Sequence, residues 1–490
     1  MSATYPLLRD LSHVPTGYVR GVADAKRFLE RWSMDPGFRE GFAADHDGAL
    51  AQLGLSITTG DALRLIDPED KGRILRACLE CTDPGDDVVS HYWSFYLEKV
   101  AHRDNLVATA VPGNVQMAAW HRRQVERVRA EVGAVHARNI VHAPFAVELS
   151  KGCSVGCWFC GLAAPPFDSF LPYTQENAEL WAGCLDVLGE VIGAGAENGF
   201  LYWASDPLDN PEYERYITAF HERLGSWPQT TTAQAWKDPE RTQRFLHEAY
   251  SRGSAVDRFS ILSLGQLKAI HRDFSPIEML RVELVPQNRG SSTIKSRSGR
   301  ARTVDDSRAR EVADSEHAST IACVTGFIVN MVDREVRMVT PCNSSDRWPL
   351  GYWVLGEGSF DTPAELKNLL EDLIARHAQP RLALGDRVAL HKDITATCDE
   401  SGIVLDWPRA HTSLRVSTHP EHLLDLLTAG TWTAADIALA RESAASVPLE
   451  STLALLDELD ANGVLDEEPA PYDFSRIARM GSKRASVGQR

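Results

Sequence analysis

The sequence predicts an α/β protein: a parallel sheet, open or closed into a partial (β/α) barrel, with a helical region before it and a small winged-helix-like module after it. Three observations carry this expectation. Residues 1 to about 140 show helical spacings and no strand patterns. From about 143, short β-like runs alternate with helical ones for about 200 residues, the pattern of a parallel sheet with crossover helices. After about 405, three short helical segments follow in close succession.

In the first region (1–140), "MDPGFREGFAADHDGALAQLGL" opens with Asp35 as an N-cap and Pro36 at the first helical position. Phe38, Phe42, Leu50 and Leu53 then recur at helical spacing. "VQMAAWHRRQVERVRAEVGAVHAR" reads as a long charged helix with a narrow apolar stripe. The sheet region (141–395) starts with the apolar strand "FAVELS". "TQENAELWAGCLDVLGEVIGAG" follows as a helix capped by Thr174, with Leu180, Cys184, Leu188 and Val191 on one face. "NGFLYWAS", "PQTTTAQAW", "DRFSILSL" and "MLRVELVPQ" supply further strands, interleaved with the helices "NPEYERYITAFHERLG" and "DPERTQRFLHEAYSRG". Residues 287–320 form a polar insertion, with seven Lys or Arg against two Asp between 289 and 310. It reads as a flexible solvated loop or, alternatively, as a mobile lid or a contact surface for an acidic peptide. "GFIVNMVDREVRMVTPC" reads as a hairpin turning at Asp333-Arg334. In the last module (405–470), Thr433 caps one of three helices and Asn462-Gly463 closes the third. Residues 471–490 read as a disordered tail.

The 490 residues carry 51 Lys and Arg against 68 Asp and Glu, a formal net charge of −17. An acidic chain is poorly suited to neutralising phosphates, which argues against nucleic acid as a partner. The amino terminus lacks a basic segment followed by an apolar one, and no apolar run approaches the roughly 18–20 residues that span a bilayer. The longest, "IACVTGFIVNMV", is interrupted by Thr325, Gly326 and Asn330. Nine cysteines in this length, three of them in a tight trio, do not make a disulfide scaffold, and a cytoplasmic, reducing setting is expected.

The trio is Cys153, Cys157 and Cys160 in "GCSVGCWFC", a C-x3-C-x2-C spacing at the carboxyl end of a strand, where such folds place their chemistry. Thiolates suit zinc or an iron–sulfur cluster. A structural zinc takes four closed ligands. Here the next cysteine, Cys184, lies on an apolar helix face, and no His occurs between 143 and 220. A [4Fe–4S] cluster normally takes four cysteines as well; held by three, it keeps one iron open to a further ligand.

This stretch resembles the radical S-adenosylmethionine superfamily, whose signature is the same spacing with an aromatic, here Phe159, before the last cysteine. The resemblance implies a [4Fe–4S] cluster on Cys153, Cys157 and Cys160, with S-adenosylmethionine chelated to the open iron. It also implies release of a 5′-deoxyadenosyl radical on one-electron reduction, and an electron donor such as flavodoxin or ferredoxin. Where the superfamily commonly carries a Gly-Gly-Glu-Pro-type element, this chain has "YWASDPLDNP", so Ser205 and Asp206 would substitute. Polar residues at later strand ends, namely Gln234, Ser260, Ser263 and Glu283 or Gln287, are candidates to meet the ribose and methionine moieties. Turn formation is the competing explanation for the serines.

"ELSKGCSVGCWFCG", "YWASDPLDNP", "PQTTTAQ", "DRFSILSL", "TIACVTGF" and "PCNSSDRWPLGY" together resemble the radical S-adenosylmethionine amino-acid epimerases of ribosomal peptide (RiPP) maturation, the polytheonamide type, over roughly residues 25–375. That resemblance implies a ribosomally made precursor peptide as substrate. An L-residue loses Hα to the adenosyl radical, and a cysteine outside the cluster returns hydrogen to the opposite face, leaving a D-residue. Carried over by motif, the donor is Cys342, with Cys323 as second choice; a buried free cysteine is the competing reading for Cys342. Residues 28–66 also resemble the helical leader peptides of some such precursors, an ordinary helical domain being the alternative. Either this segment or the C-terminal module would recognise the peptide. Two other classes stay open: a radical peptide cross-linker forming thioether or C–C bonds, and a non-catalytic iron–sulfur sensor or scaffold.

Overall fold

The structure, a computed structural model, describes residues 5–291, 293–303, 312, 320–400, 402–414, 416 and 418–475. Its first part is helical, as the spacings predict. Helices Thr16–Met34, Pro36–Ala44, His46–Leu53, Thr59–Ile66, Pro68–Leu79 and Val88–Thr109 pack around Phe28, Phe42, Ile74 and Trp93. Asp35 caps as expected, accepting from the Phe38 amide at 3.2 Å. The helix it starts ends earlier than the spacing suggests, because Asp45 caps a new one by accepting from the Gly48 amide at 2.9 Å. A short polar side chain that satisfies free N–H groups is enough to restart the chain in a new direction.

Helix Val115–Val132 departs further from expectation. Its charged face is buried, with Arg123, Gln124, Arg127 and Glu131 enclosed between the sheet and the C-terminal module. Arg127 donates to Gln124 Oε1 (2.9 Å), Glu131 (2.5 Å), Thr340 Oγ1 (3.2 Å) and the Pro341 carbonyl (2.6 Å), and lies 3.7 Å over the Trp353 ring. A charge tolerates burial only when its donors find acceptors in this way.

Strands β1 (Ala143–Glu148), β2 (Ser150–Lys151), β3 (Ser169–Phe170), β4 (Thr231–Thr232), β5 (Asp257–Ile261), β6 (Val282–Pro286), β7 (Val324–Asn330), β8 (Glu335–Pro341) and β9 (Tyr352–Ser359) build the mixed α/β core. β4, β5 and β6 pair in parallel, and β1 pairs in parallel with β7, which continues antiparallel into β8 and β9. The expected strand "NGFLYWAS" contributes a single parallel bridge, Phe200 to Ala146. Beyond it, Tyr202 and Asp206 reach β4 through side-chain bonds to Thr231 and Thr232. The core is thus an open arrangement of a four-stranded sheet, a three-stranded sheet and the small β2–β3 pair; the described residues do not form a closed barrel. Helix Gln175–Ile192, capped by Thr174 as expected, and helices Tyr213–Leu224 and Pro239–Ser251 cover its outside around Trp181, Tyr216 and Phe245. The hairpin β7–β8 turns where the sequence places it, with Arg334 at φ 56°.

The C-terminal module has its three helices, Pro420–Ala429, Ala434–Ala445 and Leu449–Ala461, with Thr433 capping the second. It also has a three-stranded antiparallel sheet, β10 (Thr395–Asp399), β11 (Gly402–Trp407) and β12 (Ala410–Leu414). The expected boundary at 405 therefore falls inside β11. Short amphipathic helices need an apolar partner, and Val388, Ile403 and Leu405 provide it for Leu423, Ile437 and Leu456.

The start of the expected disordered tail is docked. Tyr472 donates to Glu357 at 2.6 Å, and Phe474 sets its ring edge-on to Trp348 and Tyr352. Residues 476–490, and 304–311 and 313–319 of the insertion, lie outside the described residues. Among the described residues no helix is long and apolar enough to cross a membrane.

Candidate functional site

β1 is buried along its whole length and delivers the chain into the cysteine loop at its carboxyl end. Two glycines let the loop wrap, Gly152 at φ 74° and Gly156 at φ 65°. A side chain at Gly152 would collide with the Pro165 and Pro166 carbonyls, since Cys153 bridges back to that proline pair and donates its amide to Pro165 at 2.9 Å. The loop is clamped from two sides. Asp209 accepts from the Ser154 amide (2.9 Å). Arg300, from the described part of the insertion, bonds the Cys157 carbonyl (2.8 Å), donates its amide to the Cys160 carbonyl (3.0 Å) and reaches the Ala164 carbonyl.

Cys153, Cys157 and Cys160 line one cavity of about 820 Å³, together with Phe159, Ser205, Asp206, Ser260, Gln287 and Cys323. Burial pushes the Cys153 thiol up to about 12, with Asp206 and Asp209 adding to the rise, and the Cys157 thiol up to about 11, with Cys160 adding to it. Among the described residues no three His, Cys, Asp or Glu side chains converge where a single metal ion would sit. Three thiols on one loop supply the sulfur donors an iron–sulfur cluster takes, each to a different iron.

Cys323 is the fourth thiol on this cavity. It stands immediately before β7, and its carbonyl accepts from the Ala143 amide at 2.8 Å, level with the first residue of β1. The end of the cysteine loop comes back toward this segment, Gly161 packing against Ile321 two residues before Cys323. Cys342, the donor expected from the motif, lies outside the cavity. The chain turns inward after β8, and Cys342 is 1% exposed in a nest with Trp348 and Trp353.

Several other candidates are redirected. Asp206 lies at the cavity wall, but its carboxylate holds the loop to β4, accepting from Thr232 Oγ1 (2.7 Å) and the Ala233 amide (2.8 Å); burial raises it to about 6. Gln234 donates to Asp209 (2.7 Å) and accepts from Lys237 (2.8 Å), away from the cavity. Ser263 caps helix Leu264–Asp273, accepting from the Gln266 amide at 3.2 Å, while Gln266 accepts from the Leu262 amide. The Ser-x-x-Gln spacing was a readable capping signal. Glu283 is turned to Lys99 of helix Val88–Thr109, whose last turns close the cavity at His102, Asn105 and Leu106. Gln287 does face the cavity, and its Oε1 has no hydrogen-bond partner among the described residues. Asp209, Arg300 and the cavity-lining Arg258 and Tyr202 were not singled out from sequence; a lone Asp or Arg in a loop carries no spacing signal.

No protein-family model matches the chain. The uncharacterized protein y4wI of Sinorhizobium fredii is 35% identical over 459 residues, which cover 92% of this chain and 88% of that protein. The crystal structure of BtrN in complex with AdoMet and 2-DOIA aligns with a TM-score of 0.26 and 12% identity, over 39% of this chain and 70% of that one. A likeness of that size carries no argument about fold or chemistry.

Proposed function

The chain belongs to one family with the y4wI protein of Sinorhizobium fredii, and we propose that it is a radical S-adenosylmethionine enzyme that converts L-residues of a ribosomally made peptide to D-residues. The observation that carries this reading is the sharing of one cavity by a C-x3-C-x2-C loop and a separate thiol, Cys323. Cys153, Cys157 and Cys160 would hold a [4Fe–4S] cluster, and Ser205, Ser260 and Gln287 offer polar contacts to S-adenosylmethionine. When bound, that pair supplies a carbon-centred radical able to take a hydrogen atom from carbon.

The chain's own residues do the rest. The cavity wall, with Trp203 and Tyr202, offers apolar surface against which a substrate residue can pack. Cys323 would hand a hydrogen atom to the face of the substrate carbon opposite the one from which hydrogen was taken, which is the condition for inversion. The S–H bond breaks, the C–H bond forms, and the sulfur radical left on Cys323 is returned to the thiol by one electron and one proton from the external one-electron donor. Cys323 therefore replaces Cys342 as the proposed donor.

The test is anaerobic reconstitution with iron and sulfide, then dithionite and S-adenosylmethionine, with 5′-deoxyadenosine measured. Turnover of a cognate peptide in D2O is expected to add one mass unit per event at Cα and to give D-residues after hydrolysis. A loss of two hydrogens would make the protein a cross-linker. Absence of 5′-deoxyadenosine would leave a non-catalytic cluster protein.

A further inference from the structure

We propose that Arg258 receives a carboxylate of the substrate inside the cavity, beside Cys323. The argument starts from strand alternation. On β5, Asp257, Phe259 and Ile261 are buried behind the sheet, whereas Arg258 and Ser260 face the cavity. The acids that would ordinarily pair with Arg258 are taken. Glu283 stands opposite it in register on β6, yet its carboxylate bonds Lys99. Asp257 points the other way, accepting from the Thr230 amide at 2.9 Å and from Ser254 Oγ at 3.3 Å. The Arg258 guanidinium is left without an acidic or hydrogen-bonding partner among the described residues.

The other Arg and Lys side chains on the cavity are engaged: Arg252 with Glu248, and Lys295 over the Phe159 ring. A guanidinium stays charged at any working pH and offers a planar fork matched to a carboxylate. Half-enclosed and unneutralised, it favours an anionic occupant. Arg258 is also close enough to Tyr202 and Cys323 to oppose the rise that burial imposes on both. Tyr202 accepts from Thr231 Oγ1 at 2.9 Å, and Thr231 is the register partner of Arg258. Arg258 and Cys323 line the same cavity, so an anion on Arg258 would share it with the thiol proposed to return hydrogen. The inference deepens the epimerase reading and rests on it for the identity of the ligand as substrate. Either an acidic side chain or a chain-terminal carboxylate supplies the chemistry.

The experiment uses the cluster-loaded protein and site-resolved alkylation read by peptide mass spectrometry. Iodoacetate and iodoacetamide both form an S–CH2 bond as iodide leaves, and differ in carrying a carboxylate or an amide. At Cys323 the iodoacetate-to-iodoacetamide rate ratio is expected to exceed that at exposed Cys81 by about tenfold, the size of one nearby positive charge in a partly wet site. Arg258→Gln should bring the ratio down to that of Cys81, and Arg258→Lys should keep part of it. Equal ratios at the two cysteines, or a ratio indifferent to Arg258→Gln, would overturn the proposal.

Protection of Cys323 by three probes separates the sources. Protection by acetyl-glutamyl amide alone assigns an acidic side chain; by acetyl-alanine alone, a terminal carboxylate; by both, a carboxylate from either source. Equal protection by neutral acetyl-glutaminyl amide overturns it. Loss of peptide-free 5′-deoxyadenosine formation in Arg258→Gln would make Arg258 a contact of S-adenosylmethionine and overturn the proposal. A wild-type protein that forms no 5′-deoxyadenosine but shows the alkylation ratio refutes the radical reading and leaves the carboxylate site standing.

Discussion

A thiol can return a hydrogen atom only to a carbon it touches, so the space around each cysteine decides which can serve. Cys342 has Trp348 and Trp353 against it, and burial pushes its thiol far above the ordinary range. Cys323 has the cavity. Cys323→Ala is therefore expected to keep peptide-free 5′-deoxyadenosine formation while losing D-product by more than about tenfold, measured by chiral analysis of hydrolysed peptide. Cys342→Ala should leave D-product within about twofold and instead lower the melting temperature, because it opens a small void under two indoles. Loss of epimerisation in Cys342→Ala with stability unchanged would return the donor role to that residue. From sequence Cys342 is the first choice by motif and Cys323 the second, each at the edge of an apolar run. Which one meets open space is set by where β7 begins and where β8 ends.

At the scale of the element, the cysteine loop depends on two left-handed glycines and two remote clamps. The need for glycine before Cys153 is readable in "GCSVGC". The reason, a close approach to Pro165 and Pro166, is not. Gly152→Ala combines a left-handed backbone that costs about 1–2 kcal/mol for an L-residue with that collision. The expected result is a folded protein, by unchanged far-ultraviolet circular dichroism, that takes up less than about half the iron of wild type. Full iron loading in this variant would mean that the wrap seen here is not what holds the cluster. Arg300 clamps the same loop from some 140 residues away in sequence, with |i−j| of 143 to the Cys157 carbonyl. The insertion reads as a solvated loop because its composition is basic and polar, yet its 293–303 portion includes a clamp.

Over the whole molecule, the N-terminal helices and the sheet core are joined by a buried charge cluster. Arg27 donates to the His271 (3.1 Å) and Phe274 (2.9 Å) carbonyls, and His271 and Lys26 both bond Glu30. Burial pushes the Glu30 carboxyl up, but Lys26, His271 and Arg27 together overrule it and hold it at about 2. A carboxyl lowered on folding stabilises above its unfolded value near 4.5, and that contribution is lost as pH falls toward 2. Its size is on the order of 3 kcal/mol. His271, lowered to about 4 by burial, adds acid sensitivity in the same direction, its contribution fading as pH falls from about 6.5. Glu30→Gln should therefore destabilise the protein at pH 7 and much less at pH 3. An equal loss of melting temperature at both pH values would show that the cluster does not hold the two regions together.

The sequence by itself determined the periodicities, the caps at Asp35, Thr174 and Thr433, the β7–β8 hairpin and the spacing of the three thiols. All of these are local, fixed by neighbours a few residues away. Only the tertiary structure decided that Cys323 rather than Cys342 opens on the cavity, that Glu283 belongs to Lys99 and leaves Arg258 with no acidic partner among the described residues, and that the charged helix Val115–Val132 lies inside. Each of these is a pairing between residues far apart along the chain, and burial and charge compensation are properties of the packed neighbourhood, which no local pattern encodes.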